Sequence, residues 1–389
     1  MESYIFDAVR SPRGKARPDG GLAGIQPHEL VSQLVNSIDS RVGASSERAD
    51  AIVLGCVTQV GAQGGNIALV SKLKAELPDA AVALSLNNYC VSGLSAVGNA
   101  VMRIEALDDR LVLAGGVEHM SSVPMMADKA SYYRDTSFPT RGRFLPVAIA
   151  ADRLAATWGV SREELDNVAL ESQRKATAAR GTALGASLVA IVDADGTVVL
   201  DNDECVRPAT LEKLATLEPA FGELIANFSD ALGGEEVLPI HTIAHAPPMC
   251  DGAGIVLVGK YDAISKAPRA RIVAYAETGA DPSASLTAGF AAMEKVLAKA
   301  ELALSQMDRI EFMEAFGVTL VKFLRDYPVD PAVVNVGGGH MAKGHPLGAS
   351  GAILISTLLD ALDETKGRYG LVVAAGASGA GAAMIVERG

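Results

Sequence analysis

The stretch Leu86-Asn87-Asn88-Tyr89-Cys90-Val91-Ser92-Gly93-Leu94-Ser95-Ala96-Val97 changes texture in its middle: an apolar strand ends and a small-residue helix begins at the cysteine. The Ser92-Gly93 start is followed by a second apolar run, Leu111-Val112-Leu113-Ala114-Gly115. The same order recurs near the C-terminus, where Ser350-Gly351 precedes Leu371-Val372-Val373-Ala374-Ala375 at a comparable interval. This repetition reads as two copies of one unit. The runs AIVLGCV (51–57), RLVLAGGVE (110–118), RIVAYAE (271–277) and YGLVVAAGASG (369–379) are short, apolar and bounded by glycine. They are expected as buried strands of a layered α/β fold.

Between the two copies, roughly from His119 to Leu238, charged helical patterns and the polar turn DADGTVVLDNDECVRP (193–208) replace the Gly/Ala texture. An inserted lobe is expected over 119–238, with 1–118 plus 239–262 forming one half and 263–389 the other. Within the lobe, SREELDNVALESQRKATAAR (161–180) starts with Ser161 and Glu164 in capping-box spacing, and Val160, Leu165, Val168 and Ala169 supply an apolar stripe. It reads as a surface helix, either of a lobe that covers a ligand or of one that is only solvated.

A chain of 389 residues, 49% hydrophobic, is long enough to bury a large core without disulfide staples. Its formal charge of −12 argues against life on a nucleic-acid backbone, which needs a basic footprint. Cys56, Cys90, Cys205 and Cys250 are too far apart for a metal-binding pair and too few for a disulfide framework, so no metal is expected and the compartment reads as reducing. The start MESYIFDAVRSPRGK lacks the apolar core of a signal peptide, and no other apolar run is long enough to cross a bilayer. The location expected is the cytoplasm, with no membrane contact.

A thiol at a helix N-terminus sits among free N–H groups at the positive end of the helix dipole. Cys90 is therefore expected to have a pKa below the usual value of about 8.5. The plain alternative is an inert cysteine among small core residues. The second informative stretch is Asn335-Val336-Gly337-Gly338-Gly339-His340-Met341-Ala342-Lys343-Gly344-His345-Pro346-Leu347-Gly348-Ala349-Ser350-Gly351. Its glycines permit unusual backbone angles, and Pro346 fixes the chain just past His345. An imidazole held this way can take a thiol proton, as a cysteine nucleophile requires. A satisfied structural histidine is the alternative.

Taken together with other segments, these two stretches resemble the thiolase signatures, in order and at matching separations over nearly the whole chain. The further segments are AVRSPRGK with Gly20-Gly21-Leu22, Gly115-Gly116-Val117-Glu118-His119-Met120-Ser121, Ser161-Arg162-Glu163 with Asp166, Asp203-Glu204 with Arg207-Pro208, Asp251-Gly252-Ala253 and Glu314-Ala315-Phe316. The resemblance implies a five-layer αβαβα fold of two duplicated halves, with an inserted loop domain over a coenzyme A site and assembly into homodimers or homotetramers. It implies an acyltransferase of the acetyl-CoA acetyltransferase or 3-ketoacyl-CoA thiolase type. Coenzyme A would be substrate and product, with no cofactor held permanently. Cys90 would take the acyl group, His345 would activate it, and backbone N–H groups near Cys90 and from Gly376 to Gly379, Gly379 among them, would hold an oxyanion. The residues that bind coenzyme A are not identified by this resemblance; Arg141, Arg143, Arg174 and Lys213 are candidates that fit a solvated face equally well.

The C-terminal motif departs from the family pattern. The second cysteine, which acts as acid and base at the substrate's α-carbon, falls on Ala375, and Ser378 replaces a glycine. Met313 stands where an asparagine commonly precedes Glu-Ala-Phe, and His245-Ala246-Pro247-Pro248 stands in place of Asn-Ala-Ser-Gly. Methionine donates no hydrogen bond. His245, His340, Cys250 and Glu314 are the candidate groups for relaying a proton instead. Lys343-Gly344-His345-Pro346 resembles the sterol-carrier type of thiolase, whereas the Cys90 segment resembles the conventional type. The alternative function is a degenerate homologue that binds acyl-CoA, or one that performs a different acyl-transfer or retro-aldol reaction.

Overall fold

Residues 2–43 and 45–389 are described by a computed structural model. The N-terminal half runs β1 (Tyr4–Arg10), the two-residue β2 (Gly14–Lys15), α1 (Pro27–Val42), β3 (Ala51–Gly55), α2 (Ile67–Lys74), β4 (Val82–Leu86), α3 (Ser92–Ala106) and β5 (Leu111–His119). A long excursion follows, with α4 (Val147–Trp158), α5 (Arg162–Ala178), the ribbon β6 (Ile191–Val192) and β7 (Val198–Leu200), and the short α6 (Leu211–Ala215), α7 (Gly222–Asn227) and α8 (Ser229–Leu232). The chain then re-enters the sheet as β8 (Cys250–Gly259). The remainder is β9 (Ala270–Gly279), α9 (Ala288–Ala300), β10 (Arg309–Phe312), α10 (Gly317–Asp326), α11 (His340–Lys343), α12 (Ser350–Thr365), β11 (Tyr369–Ala375) and β12 (Ala380–Arg388). Among the described residues, no helix is long and apolar enough to cross a membrane.

The duplication read from Ser92-Gly93 and Ser350-Gly351 is visible in the pairing. The first half has the strand order β4-β3-β5-β8-β1, and the second has β10-β11-β12-β9, with Val334 bridging Ile310 in parallel at the place that β4 occupies in the first. In both halves the pairs at the outer end are parallel, and the two strands nearest the joint run antiparallel. A two-residue pairing, Tyr4 with Arg271 and Ile5 with Ala270, joins the two sheets at their β1 and β9 edges.

Alternation along each strand sends side chains to two different cores. In β3, Ile52 and Leu54 face α1, whereas Ala51 and Val53 face α3 and α12. In β11, Leu371 and Val373 pack outward with Phe323 of α10 and Met293 of α9, and Val372 and Ala374 face the centre. The result is five layers: α1 with α2, a sheet, α3 with α12, a second sheet, and α9 with α10. Because α12 lies between the two sheets, every residue from Ser350 to Leu362 is buried. A helix apolar on all sides is what such a position requires.

The helix α5 starts as its sequence indicates, with Ser161 Oγ accepting from the Glu164 N–H and Glu164 accepting from the Ser161 N–H at 2.8 Å. It is not a free surface helix, however. Ala169 and Ala176 let it lie close against α10 and α11, and its polar Asp166, Ser172 and Gln173 are buried. The excursion thus buttresses the C-terminal half from the side.

Candidate active site

Cys90 is carried inward by a constrained turn between β4 and α3. Tyr89 has φ +47°, a left-handed conformation that costs a non-glycine residue about 1–3 kcal/mol and persists only when its surroundings impose it. Three hydrogen bonds do so: Tyr89 N–H to Asn87 Oδ1 at 2.9 Å, Asn88 N–H to Ser92 Oγ at 2.8 Å, and Ser92 Oγ–H to the Tyr89 carbonyl at 2.5 Å. Cys90 itself is 8% exposed.

Opposite lies the turn after β11. A side chain on Gly376 would come within 3.2 Å of the Cys90 nitrogen, so glycine permits this approach. The Ala377 N–H donates to the Cys90 sulfur, which favours thiolate, yet burial outweighs it and pushes the thiol up to about 12. The lowered pKa expected from the sequence does not hold. Desolvation is the largest influence, the negative Glu118 adds to it, and the first residue of α3 is Ser92 rather than Cys90. The amide that reaches the sulfur belongs to Ala377, inside the span from Gly376 to Gly379 that the sequence marked. Gly379 instead turns the chain at φ +78°, and its carbonyl accepts from the Ala280 N–H at 2.9 Å. With Asn88, Tyr89, Glu277 and Ser378 it lines an open cleft of about 430 Å³ beside the cysteine loop.

His345 lies five residues before α12, as Cys90 lies two before α3, and the N-terminal ends of these helices cross in van der Waals contact. Its N–H donates to the Pro248 carbonyl at 3.0 Å, and its Nδ1 is 2.7 Å from Ser350 Oγ. Nε2 is buried with no partner, and no hydrogen bond joins it to the Cys90 sulfur. Burial first, then the positive charge of Arg13, pulls the imidazole down to about 3. At neutral pH the site therefore holds an uncharged thiol and an uncharged imidazole with one free ring nitrogen.

Two buried carboxyl groups fix the loop that carries His345. Glu118 accepts from Gly348 N–H at 2.9 Å, Val57 N–H at 3.0 Å, Thr58 N–H at 3.2 Å and Gln63 Nε2 at 3.0 Å. Glu314 accepts from Ser172 Oγ at 2.8 Å, Asn335 Nδ2 at 2.9 Å and Met341 N–H at 3.0 Å. Glu314, named above as a possible proton relay, is thus fully occupied in holding the glycine-rich turn. The clamp role of Glu118 was not read from the sequence, although an acidic residue in the apolar run RLVLAGGVE is the signal that marks it.

The other suggested relays separate in the same way. His245 uses both ring nitrogens, Nε2 with Asp166 at 2.7 Å and Nδ1 accepting from the Thr242 N–H at 3.1 Å, and burial pulls it down to about 4. Cys250 is buried in β8 against Gly344, and desolvation pushes its thiol well up. His340 alone is fully buried with neither nitrogen hydrogen-bonded. Ala375 ends β11 with its methyl group towards Gly289, and Met313 is buried with its N–H on the Val373 carbonyl at 2.9 Å. Of the basic residues considered for phosphate binding, Arg174 pairs with Glu171, Arg141 pairs with Asp281, and Arg143 donates to the Thr136, Phe138 and Asp230 carbonyls. Lys213 is exposed.

Known proteins share this architecture throughout. The family model of the thiolase N-terminal domain matches residues 3–230, and that of the thiolase C-terminal domain matches residues 266–388. The chain is 32% identical to the steroid 3-ketoacyl-CoA thiolase FadA6 of Mycobacterium tuberculosis, over 100% of this chain and 94% of that protein. It is 32% identical to the β-ketoadipyl-CoA thiolase of Pseudomonas putida, over 99% of each. The crystal structure of human mitochondrial 3-ketoacyl-CoA thiolase superimposes with a TM-score of 0.86 at 29% identity, covering 99% of this chain and 98% of that one.

Proposed function

The chain belongs to the thiolase family, and on that premise we propose that Cys90 carries the acyl group and that His345 takes its proton. The protein is a thiolase-type acyltransferase acting on acyl-CoA and 3-ketoacyl-CoA thioesters. The single observation that carries the site assignment is the meeting of the two duplicated helix starts, one just after Cys90 and the other just after a histidine whose Nε2 is buried and free.

The chemistry follows from two neutral partners. As the Cys90 sulfur attacks the substrate carbonyl, its S–H proton passes to His345 Nε2, so thiolate forms only as it is consumed. The N–H groups of Cys90 and Ala377 face the negative charge that develops on the carbonyl oxygen, in a pocket where burial strengthens each contact. Collapse of the adduct leaves an acyl-cysteine. With a simple thioester it expels coenzyme A, which takes the proton held on His345. With a 3-ketoacyl substrate it breaks the carbon–carbon bond and releases an acetyl-CoA enolate, whose carbon must take up one proton, the one that Cys90 gave to His345 on balance, so that His345 is neutral again. The CoA thiol then attacks the acyl-cysteine, and the proton it loses returns through His345 to Cys90.

The finer features are part of the same proposal. We take 119–238 as the lobe that covers coenzyme A between two halves, 1–118 plus 239–262 and 263–389. Assembly as a homodimer or homotetramer is supported by the edge strand β4, whose Val82 and Leu84 lie exposed beside the exposed Leu69 and Leu73 of α2. An apolar, unpaired sheet edge of this kind invites a second copy. A cytoplasmic location is supported by four free cysteines, all buried.

Ala375 and Met313 favour a second reading, in which the chain binds or transfers acyl groups without efficient carbon–carbon cleavage. Incubation with acetyl-CoA followed by intact-mass analysis tests the first step, with an acetyl increment expected on the parent and absent from Cys90→Ala. Thiolysis of acetoacetyl-CoA and of a longer 3-ketoacyl-CoA tests the second. A transfer enzyme would leave the 3-ketoacyl chain length intact.

A further inference from the structure

The turn that follows β11 is fastened on both sides of one amide. Gly376 N–H donates to the Ala380 carbonyl at 2.8 Å, which fixes the peptide plane before Gly376. Ser378 N–H donates to Ser285 Oγ at 3.0 Å, which fixes the plane between Ala377 and Ser378. The plane held between these two carries the Ala377 N–H. That amide reaches the Cys90 sulfur, and the turn lies so near the cysteine that a Cβ on Gly376 would come within 3.2 Å of the Cys90 nitrogen. Of the two fastenings, only the one from Ser285 is made by a side chain.

Ser285 is held in place for this contact. It lies in the loop between β9 and α9, directly after the 3-10 turn Pro282–Ala284, with φ +46° and ψ −93°, and it is fully buried. A serine does not take up such a backbone conformation by itself, and strain of this kind persists only where the surroundings impose it, most often at a functional site. The surroundings here are specific. Asp281 Oδ1 accepts from the Ser283 N–H and from its hydroxyl, each at 2.9 Å, and the Ser285 carbonyl accepts from the Thr287 N–H at 2.9 Å. Leu286 is buried in the same core as Cys90. The Ala280 N–H donates to the Gly379 carbonyl at 2.9 Å, so loop and turn are joined at two points. Ser378 is itself left-handed at φ +53°, and so is Tyr89 at φ +47°, whose Cβ lies 3.4 Å from where a Cβ on Gly376 would be. Three non-glycine residues of positive φ thus meet at this turn.

From this arrangement we infer that Ser285 is a positioning residue for acyl transfer: by accepting from the Ser378 N–H, its hydroxyl aims the Ala377 N–H at the place beside Cys90 where the thioester oxygen becomes negative. The inference rests on the reading of Cys90 as the acyl carrier. Amide donors stabilise a developing charge most when they are oriented before the reaction begins, so that nothing has to reorganise during it. An amide flanked by Gly376 and Gly379 has little orientation of its own, because glycine leaves the chain free. Contacts from outside the turn must remove that freedom, and Ser285 supplies one. Ser378 resists the left-handed conformation more than a glycine would, so the same hydrogen bond also offsets the strain of the turn.

The test uses the full chain and two variants, Ser285→Ala and Ser285→Gly. Both remove the acceptor, and Ser285→Gly also relieves the positive φ, which protects its fold. The rate of Cys90 acylation at saturating acetyl-CoA should fall roughly tenfold to a hundredfold in both, as for a misplaced oxyanion donor, with KM unchanged. In isotope-edited infrared spectra of the enzyme acylated with ¹³C-carbonyl acetyl-CoA, the thioester carbonyl band should move to higher frequency in both variants, because a carbonyl that loses a donor has a stiffer C=O bond. Parental acylation in both variants would overturn the inference. So would slower acylation with an unshifted band, which is what a merely structural serine gives. If the parent itself forms no acyl-enzyme, the acyl-carrier reading fails instead, and amide hydrogen exchange over residues 376–380 still decides the role of Ser285. Faster exchange in Ser285→Gly than in the parent is expected, and equal exchange would show that the hydroxyl does not hold the turn.

Discussion

Gly93 and Gly348 meet backbone to backbone, such that a Cβ on Gly93 would lie 2.7 Å from the Gly348 carbonyl oxygen. This contact sets the separation of the two helix starts, and with it the spacing between the turn that bears Cys90 and the loop that bears His345. Gly93→Ala must push the backbones apart, because neither side of the contact is a flexible side chain. The expected cost is about 1–3 kcal/mol of stability, seen as a lower midpoint in urea unfolding. Acyl-enzyme formation should fall along with it, and a variant with parental stability and acylation would show that the crossing is not tight.

The thiol of Cys90, raised to about 12 by burial, predicts how the site responds to an alkylating agent. Thiolate is the reactive species, so the rate of Cys90 carboxamidomethylation by iodoacetamide should rise about tenfold per pH unit from pH 6 to 10, without a plateau. A rate that levels off below pH 8 would indicate a stabilised thiolate paired with a charged His345. That outcome would contradict the neutral pair described here.

Glu118 ties four donors from two segments to one carboxyl group, and the Gly348 N–H among them belongs to the turn after His345. In Glu118→Gln one acceptor oxygen becomes an NH2 facing N–H groups, leaving buried donors unpaired. A loss of about 1–3 kcal/mol is expected in denaturant unfolding. Because the clamp also fixes the loop, acylation of Cys90 should slow in protein that remains folded at low temperature.

The parts of the fold that were legible in the sequence are those governed by local pattern. The runs at 51–57, 110–118, 271–277 and 369–379 fall on β3, β5, β9 and β11, and the Ser-Gly repeats mark the starts of α3 and α12. The protonation state of Cys90 was not legible, since a helix start and a desolvating core act in opposite directions and only packing decides which is larger. Glu314 and His245 looked reactive because the sequence shows ionisable groups without their partners, Ser172, Asn335 and Asp166, which come from distant segments. The amide facing the sulfur, from Ala377, lies inside the Gly376–Gly379 span that the sequence marked, but the turn at Ser378, with φ +53°, which decides which amide of that span comes forward, is not revealed by spacing alone.

Ala375 offers a gain-of-function test. Its methyl group lies where Gly289 leaves room, a Cβ there coming within 3.1 Å of the Ala375 Cβ, so a sulfur atom at position 375 can be accommodated. Ala375→Cys should leave the acetyl-CoA labelling rate of Cys90 within about twofold of the parent. Thiolysis of acetoacetyl-CoA should rise at least about a hundredfold, the lower end of what a positioned acid or base contributes. Equal thiolysis in parent and variant would mean that the protein already supplies the proton at carbon by another route.

His340 gives the molecule a measurable sensitivity to acid. Burial, then His345, Arg13 and Lys343, hold its folded-state pKa well below the usual 6.5. As the pH falls below about 6.5 the unfolded chain binds a proton there and the folded chain does not, so the stabilising contribution is fully present above that pH and is lost on acidification. Between pH 7 and pH 5 the loss for this one side chain is at most about 2 kcal/mol, the limit set by the unfolded-state value. Other buried groups titrate over the same range, among them Glu311, raised to about 7 by burial, but they are common to the parent and to His340→Phe. Urea unfolding of both proteins at the two pH values should therefore show the parent losing more than the variant, by up to about 2 kcal/mol. Equal losses would mean that His340 takes up a proton in the folded state, so that its burial would not be what holds it neutral.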